Sequence, residues 1–196
     1  LIEKHRKMKI DIGEVPIDDE KTYHLLQEAD TIGVFQLESS GMQSLVRKLQ
    51  PTNFDDIVAL IALYRPGPLQ SGMVDQYIER KKHPGKIDYP HPSLEATLKD
   101  TLGVFIYQEQ VMLTSRIMGG FSMGESDKLR KAMSKKKTEI IEELKDKFLK
   151  GAKDKGIDLA IADDVYDKMS KFGEYGFNKS HSAAYGLVTY QTAYLK

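Results

Sequence analysis

The sequence predicts a mainly α-helical domain with at most a small two-stranded β element. Apolar residues recur at helical spacing in several segments; Ile141, Leu144 and Phe148, for example, share one helical face. Ser, Thr and Asp stand where such segments begin, and Gly or Pro stands where they end, as expected at helix termini. Runs that resemble strands are few and short. A multi-helix domain accounts for all three observations.

The first half of the chain divides into helices separated by turns that contain proline or glycine. Thr52 and Asp55 have the spacing of a helix start. The two prolines at 66 and 68 must end that helix, because proline supplies no amide donor. The run at 33–37 resembles a short strand, and 84–92 is predicted as a loop. We therefore predict helices over 22–28, 39–49, 52–64 and 72–82.

The second half follows the same pattern. Ser122 and Glu125 form a capping box, and Thr138 is predicted to cap the next helix. The Thr-x-Gly-Val-Phe of 31–35 recurs at 101–105, so these two segments either pair as strands or match by chance. The remaining predictions are helices over 107–118, 122–133, 138–156 and 159–171, a loop over 173–178, and a helix from Ser180 onward.

Composition excludes several classes of protein. Hydrophobic residues make up 40% and charged residues 30% of the 196, which argues against a disordered chain. The absence of cysteine excludes disulfides and thiolate metal sites. The apolar runs are far shorter than the ~20 residues of a membrane span. Because the chain starts at Leu1 without an export leader and still has a helical pattern at Lys196, we expect a fragment that is truncated at both ends.

Charge is segregated along the chain, although 29 basic residues balance 29 acidic ones. Residues 11–38 hold eight acidic residues and one basic residue, whereas 128–137 hold six basic residues and no acidic one. Uncompensated positive charge attracts anions, so the second segment is a candidate anion site. The alternative is a solvated helix face.

Two of three candidate anion-binding segments are defined by arginine. The turn at 65–73 is stiffened by its prolines, which suits a fixed Arg65 for bidentate recognition of phosphate; the alternative is a structural corner. In the basic helix Arg130 and Lys131 are adjacent, so about 100° separates them and we predict that they do not share a face. The lysines at 135–137 follow at a helix break, where they could track a phosphate backbone.

The third segment, 172–181, combines glycines, aromatic rings and basic side chains. Its glycines permit a tight loop, and Tyr175 or Phe177 could stack on a base or a sugar. Lys179 and His181 stand at the predicted start of the last helix, where free amides attract anions. The alternative is an ordinary helix cap with aromatic rings in the core. Together the three segments suggest a nucleotide or nucleic-acid phosphate site.

Other common sites are absent from the sequence. The five histidines lack the spacing of zinc ligands, and neither a P-loop nor a G-x-S-x-G motif occurs. The adjacent acids at 55–56 and 163–164 point apart on a helix, near its start, where acids are expected. We predict no metal site within the chain.

Four strings resemble one protein family. They are GVFQLES at 33–39, RPGPLQSGM at 65–73, YQEQV at 107–111 and YGFNKSHSAAY at 175–185. In this order, and over essentially the whole chain, they are similar to bacterial replicative DNA polymerase III α subunits (family C, DnaE branch). The resemblance implies the front part of a fingers domain at 31–196, preceded at 1–30 by a connector from the palm.

The resemblance also implies a function. The chain would be a fragment of a DNA-directed DNA polymerase, a nucleotidyltransferase of DNA replication, and would bind the incoming dNTP triphosphate and the nascent base pair. In this family three palm aspartates hold two Mg²⁺ ions. These aspartates would lie upstream of Leu1, so the fragment is expected to bind no metal and to be inactive alone. The implied nucleotide-binding residues are Arg65, Arg130, Lys131, Tyr175, Gly176, Lys179 and His181, and the possible DNA-backbone contacts are Lys135, Lys136 and Lys137.

Two departures from the family pattern bear on this site. Lys131 stands where the family usually has a second arginine, which replaces a guanidinium fork by a point charge. Ser134 stands where glycine is common, at the helix break. The implied partners are dNTP, primer-template DNA, the palm and thumb of the same subunit and other replicase subunits bound elsewhere, with no membrane and a cytoplasmic, nucleoid location. The alternative is a non-catalytic helical module that binds DNA or protein through its basic face.

Overall fold

The computed structural model describes residues 2–196, and 69% of the chain is helical. The predicted mainly α-helical fold is confirmed. Within residues 2–196 the only β pairing is an isolated parallel bridge between Tyr107 and Phe177. The α-helices of the described chain are α1 (Ile2–Arg6), α2 (Glu20–Gln27), α3 (Ser40–Leu49), α4 (Phe54–Leu63), α5 (Pro66–Gln70), α6 (Met73–Lys82), α7 (Glu95–Leu98), α8 (Gln108–Ile117), α9 (Met123–Ser134), α10 (Thr138–Asp154), α11 (Leu159–Gly173) and α12 (Lys179–Leu195).

The two Thr-x-Gly-Val-Phe segments are turns, which rules out the alternative that they pair as strands. In each segment the valine N–H donates to the threonine carbonyl three residues earlier, at 3.0 Å in 31–35 and at 2.9 Å in 101–105. Gly33 and Gly103 have φ of +83° and +79°, which closes the chain into a turn and is incompatible with an extended strand. The repeated sequence is therefore a repeated turn.

The chain forms two compact units, of which the first comprises the described residues up to Tyr64 together with Ser180–Lys196. The sequence places one buried face on α4, whereas the structure buries seven of its ten residues, Val58 among them. Gly186 lets α12 approach this helix closely, since a Cβ there would lie 3.2 Å from Val58 Cγ2. The Ser182 hydroxyl also donates to the Val58 carbonyl. Packing against α12 and also against α3 explains why α4 is apolar almost all round.

Two helix starts differ from the prediction. Asn53, one residue after Thr52, caps α4 by accepting the Asp56 N–H at 3.0 Å. The Asp56 carboxylate in turn accepts the Thr52 N–H at 2.9 Å, so the cap pair is shifted by one residue. Thr138 is the first residue of α10 and does not cap it. The capping box of α9 is confirmed at Ser122.

The second unit comprises Arg65–Lys179 and contains α5 to α11. Helices α8 to α11 pack in succession around one apolar core. Gly119, just after α8, lies against Gly151 of α10, since a Cβ on Gly151 would fall 2.0 Å from the Gly119 carbonyl oxygen. The largest core residues include Phe105, Leu129, Phe148, Tyr166 and Phe172.

None of the helices in residues 2–196 combines the length and the apolar character that crossing a bilayer requires.

Candidate functional site

The loop at 173–178 is anchored to the start of α8 in the second unit. Gln108 N–H donates to the Phe177 carbonyl at 2.9 Å, and Phe177 N–H donates to the Ile106 carbonyl at 3.2 Å. At the other end of the loop Tyr175 N–H donates to the Phe172 carbonyl at 2.7 Å. These three bonds hold the backbone of the predicted aromatic loop in one conformation.

Arg65 braces this loop. It precedes α5, whose first residue is Pro66, because proline fits the first turn of a helix; the proline turn thus ends α4 as predicted and also begins a new helix. Arg65 Nη2 donates to the Tyr175 carbonyl, and the guanidinium lies 4.5 Å from the centroid of the Phe177 ring. Burial lowers the pKa of Arg65 below its ordinary value. The structure therefore brings the proline turn and the aromatic loop together.

Glycines make close packing around Tyr175 possible. A Cβ on Gly67 would lie 2.1 Å from Tyr175 Cδ1, so the tyrosine ring lies directly on the proline turn. A Cβ on Gly176 would lie 3.3 Å from a Phe172 ring carbon and 3.4 Å from Gln108 Cβ. Only glycine at position 67 leaves room for the tyrosine ring in this position.

Arg130 and Lys131 lie about 100° apart on α9, on either side of Asp127, and their side chains meet at its carboxylate. Asp127 Oδ1 accepts from Arg130 Nε at 3.0 Å and from Nη2 at 2.7 Å, and Lys131 Nζ lies 2.7 Å from Asp127 Oδ2. Both cations are one turn after the aspartate on α9, and long side chains reach residues three and four positions away. These contacts hold the pKa of Asp127 below its ordinary value, the Lys131 contact most strongly. Arg130 Nη1 also donates to Gln108 Oε1 at 3.0 Å.

Acidic residues from elsewhere in the second unit compensate much of the basic run. Lys128 pairs with Glu143 at 3.2 Å, and Lys136 pairs with Glu174 at 2.7 Å. Lys135 and Lys137 form no ion pair with any residue in 2–196, and they line a shallow groove of about 350 Å³ together with the lysines at 128 and 131. The six cations of the run thus face three carboxylates, and two of the six have no ion pair within residues 2–196.

The helix break between α9 and α10 is formed by a lysine. Ser134, the position where the family commonly has glycine, is the last residue of α9. The left-handed backbone conformation occurs two residues later, at Lys136, whose φ is +53°. The break therefore does not need glycine at 134.

Lys179 is held by a carboxylate that sequence reasoning missed. Its backbone N–H donates to both oxygens of Glu109 at 3.1 Å, and Asn178 Nδ2 donates to the same carboxylate at 3.0 Å. The amide predicted as part of an open anion site is therefore already bound. Lys179 Nζ lies 3.3 Å from Asp100 Oδ2 and 5.5 Å from the centroid of the Tyr107 ring.

His181 belongs to the first unit. Its imidazole stacks on Tyr185, with centroids 4.2 Å apart, and Tyr185 in turn contacts the half-exposed Phe35 at 5.5 Å. The three rings form one aromatic stack in that unit.

The start of α8 connects the predicted residues of the second unit. Tyr107 contacts the Lys179 side chain, Gln108 holds Arg130 and the loop, and Glu109 binds the Lys179 amide. No role in the site was predicted for these three residues or for Asp127. The string YQEQV at 107–111 was the available signal, because it was one of the four that resembled the family.

No group of three or more His, Cys, Asp or Glu within residues 2–196 is arranged to hold a metal ion.

Comparisons with known proteins give one consistent result. A family model described as the bacterial DNA polymerase III alpha subunit finger domain matches residues 1–156. The DNA polymerase III subunit alpha of Aquifex aeolicus (strain VF5) is 53% identical over the whole chain, and that of Escherichia coli (strain K12) is 48% identical over 98% of it. In both cases the match covers 17% of the relative. The chain thus spans about a sixth of the length of the curated relatives it matches.

Proposed function

Because the chain belongs to the finger-domain family of bacterial DNA polymerase III α subunits, we propose that it is the part of a DNA-directed DNA polymerase that binds the triphosphate of the incoming dNTP. The observation that supports this best is the arrangement at the Tyr175–Phe177 loop. Arg65 donates to the Tyr175 carbonyl. Arg130 donates to the side chain of Gln108, whose backbone N–H donates to the Phe177 carbonyl. Two guanidinium groups, one from the residue before α5 and one from α9, are thereby held at one short backbone segment.

Fixed cations suit phosphoryl transfer. This reaction depends chiefly on positioning and on electrostatic stabilisation of the phosphate oxygens. A guanidinium that is already held by carboxylate and amide oxygens loses little freedom when a phosphate arrives. Arg130 and Lys131 carry two positive charges against the single carboxylate of Asp127, so the group remains cationic. Tyr175 would supply the face on which the base or sugar stacks.

The proposal places the metal chemistry in another part of the polymerase. Two Mg²⁺ ions would stabilise the attacking and leaving oxygens when bound. The acidic residues of the second unit, such as Asp127, Glu109 and Glu174, instead hold cations or amides. We therefore do not attribute polymerase activity to these 196 residues alone.

The remaining partners follow from the same proposal. Lys135 and Lys137 would contact the backbone of primer-template DNA through their groove, and Lys136 would do so less because Glu174 binds it. We also propose that residues 1–30 connect the palm to the fingers domain, and that the palm and the thumb of the same subunit are partners of this chain.

Substitution of Arg130 tests the triphosphate contact. In the full-length α subunit, Arg130→Ala should raise the KM for dNTP about ten- to hundredfold, because hydrogen bonds to charged groups are the strong ones. Steady-state primer extension at varied dNTP concentration measures this. Arg116→Ala, an exposed arginine of α8 in the same unit, is the matched control and should leave KM unchanged.

Two results would contradict the proposal. One is an Arg130→Ala enzyme with the KM and kcat of the parent. The other is an unchanged KM for dNTP together with weaker, strongly salt-dependent binding of primer-template DNA, which would favour a general DNA-binding surface.

A further inference from the structure

Gln108 forms hydrogen bonds both to Arg130, through its side chain, and to the aromatic loop, through its backbone. It is the first residue of α8 and is half-buried. Its backbone N–H is bound to the Phe177 carbonyl, which fixes its Cα beside the loop whatever its side chain. Because this bond uses only the backbone, the side chain of Gln108 can have a separate role.

The side chain completes the support of the Arg130 guanidinium. The Asp127 carboxylate accepts hydrogen bonds from Nε and Nη2 of Arg130 but none from Nη1. Gln108 Oε1 accepts from Nη1 at 3.0 Å. Since arginine donates only, the amide oxygen and not the amide nitrogen must face it.

Two N–H groups of the guanidinium then remain for a ligand. Arginine has five N–H donors, and three are used by Asp127 and Gln108. One of the two left is on Nη1 and the other is on Nη2. The supported guanidinium therefore keeps two N–H donors for the oxygens of a phosphate.

We propose that Gln108 is a positioning residue that orients Arg130 toward the triphosphate and ties it to the Tyr175–Phe177 loop. This inference rests on the proposed function. A neutral amide suits the task, because it supplies an acceptor without a second negative charge that would offset Arg130. A carboxylate in its place would compete with the phosphate for the same guanidinium.

A double-mutant cycle in the full-length α subunit tests this inference. Gln108→Ala should raise the KM for dNTP about three- to tenfold with kcat nearly unchanged, as expected for the loss of one hydrogen bond. In an Arg130→Ala background the same substitution should change KM by less than about 1.5-fold, because Gln108 would act through a side chain that is no longer there.

Two further variants guard against unrelated effects. Gln108→Met keeps the length of the side chain and the backbone bond but lacks the amide acceptor, and it should behave like Gln108→Ala. Gln76→Ala, at an exposed glutamine of α6 in the same unit, should match the parent enzyme.

The outcomes separate this inference from the proposed function. If Arg130→Ala raises KM but the Gln108 variants do not, or if the two effects multiply, the positioning role is overturned and the triphosphate site stands. If Arg130→Ala leaves KM unchanged, both are overturned.

Discussion

At the scale of single residues, the site is organised by oxygens that hold cations. Asp127 holds Arg130 and Lys131, and Glu174 holds Lys136. Each of these contacts lowers the freedom of a long side chain and partly offsets its charge. Such pairs hold the cations of a polyanion-binding site in fixed positions. The site keeps a net positive charge only where cations outnumber carboxylates.

Glu125 offers a residue-scale test by pH. Its carboxylate binds Lys147 and accepts the Ser122 N–H, and these contacts, the lysine foremost, lower the pKa of Glu125 to about 2 from 4.5. A folded-state pKa below the unfolded value stabilises the fold above about pH 4.5, and this stabilisation is lost as the pH falls toward 2. Glu125→Gln should therefore lower the thermal midpoint at pH 7 and lower it much less near pH 2.

Thermal unfolding of both proteins across this pH range measures the effect. Glu142→Gln, at an exposed glutamate of α10, is the matched control and should follow the parent at every pH. A Glu125→Gln difference that is the same at pH 7 and near pH 2 would contradict the assigned interaction.

At the scale of elements, sequence signals located the long helices to within a few residues. The prediction of 39–49 corresponds to α3, and that of 159–171 corresponds to α11. The helices α1, α5 and α7 were not predicted, since segments of four or five residues are too short to show a helical period. They form because neighbouring structure holds them, which no local pattern records.

The contact between α10 and the turn that follows α8 gives the element-scale prediction. Gly151→Ala should lower the free energy of unfolding by about 1–3 kcal/mol, because the added methyl group would overlap the Gly119 carbonyl and push α10 away from this turn. Gly124→Ala on α9 is the matched control, since a Cβ there meets nothing within 4 Å.

In the control, alanine should be neutral or should stabilise by up to about 1 kcal/mol through its higher helix propensity. Denaturant unfolding of the two variants distinguishes these effects. Equal stability of the Gly151→Ala and Gly124→Ala proteins would show that α10 does not closely approach the turn after α8 at Gly151.

At the scale of the whole molecule, the relevant quantity is where charge remains after pairing. The formal net charge of the chain is zero. In the basic run at 128–137, only Lys135 and Lys137 have no ion pair within residues 2–196. A local positive groove can bind a polyanion on a protein that is neutral overall.

Salt dependence measures the contribution of this groove. In the full-length α subunit, replacing both Lys135 and Lys137 by alanine should reduce the slope of log K against log salt for primer-template DNA by about 1.8, at about 0.9 per phosphate contact. Lys136→Ala is the control, because Glu174 already binds that lysine and raises its pKa. A slope that is unchanged in the double variant would remove the groove from the DNA interface.

The helical class, the long helices and the family were predictable from the amino-acid sequence alone. Those signals are local: caps, helical spacing and short strings of neighbouring residues. Only the tertiary structure decided that Arg65 lies on the Tyr175–Phe177 loop, that Gln108 and Asp127 hold Arg130, and that most of the basic run is paired. These contacts join residues far apart in the chain, so they depend on how helices pack, and no local pattern specifies that packing.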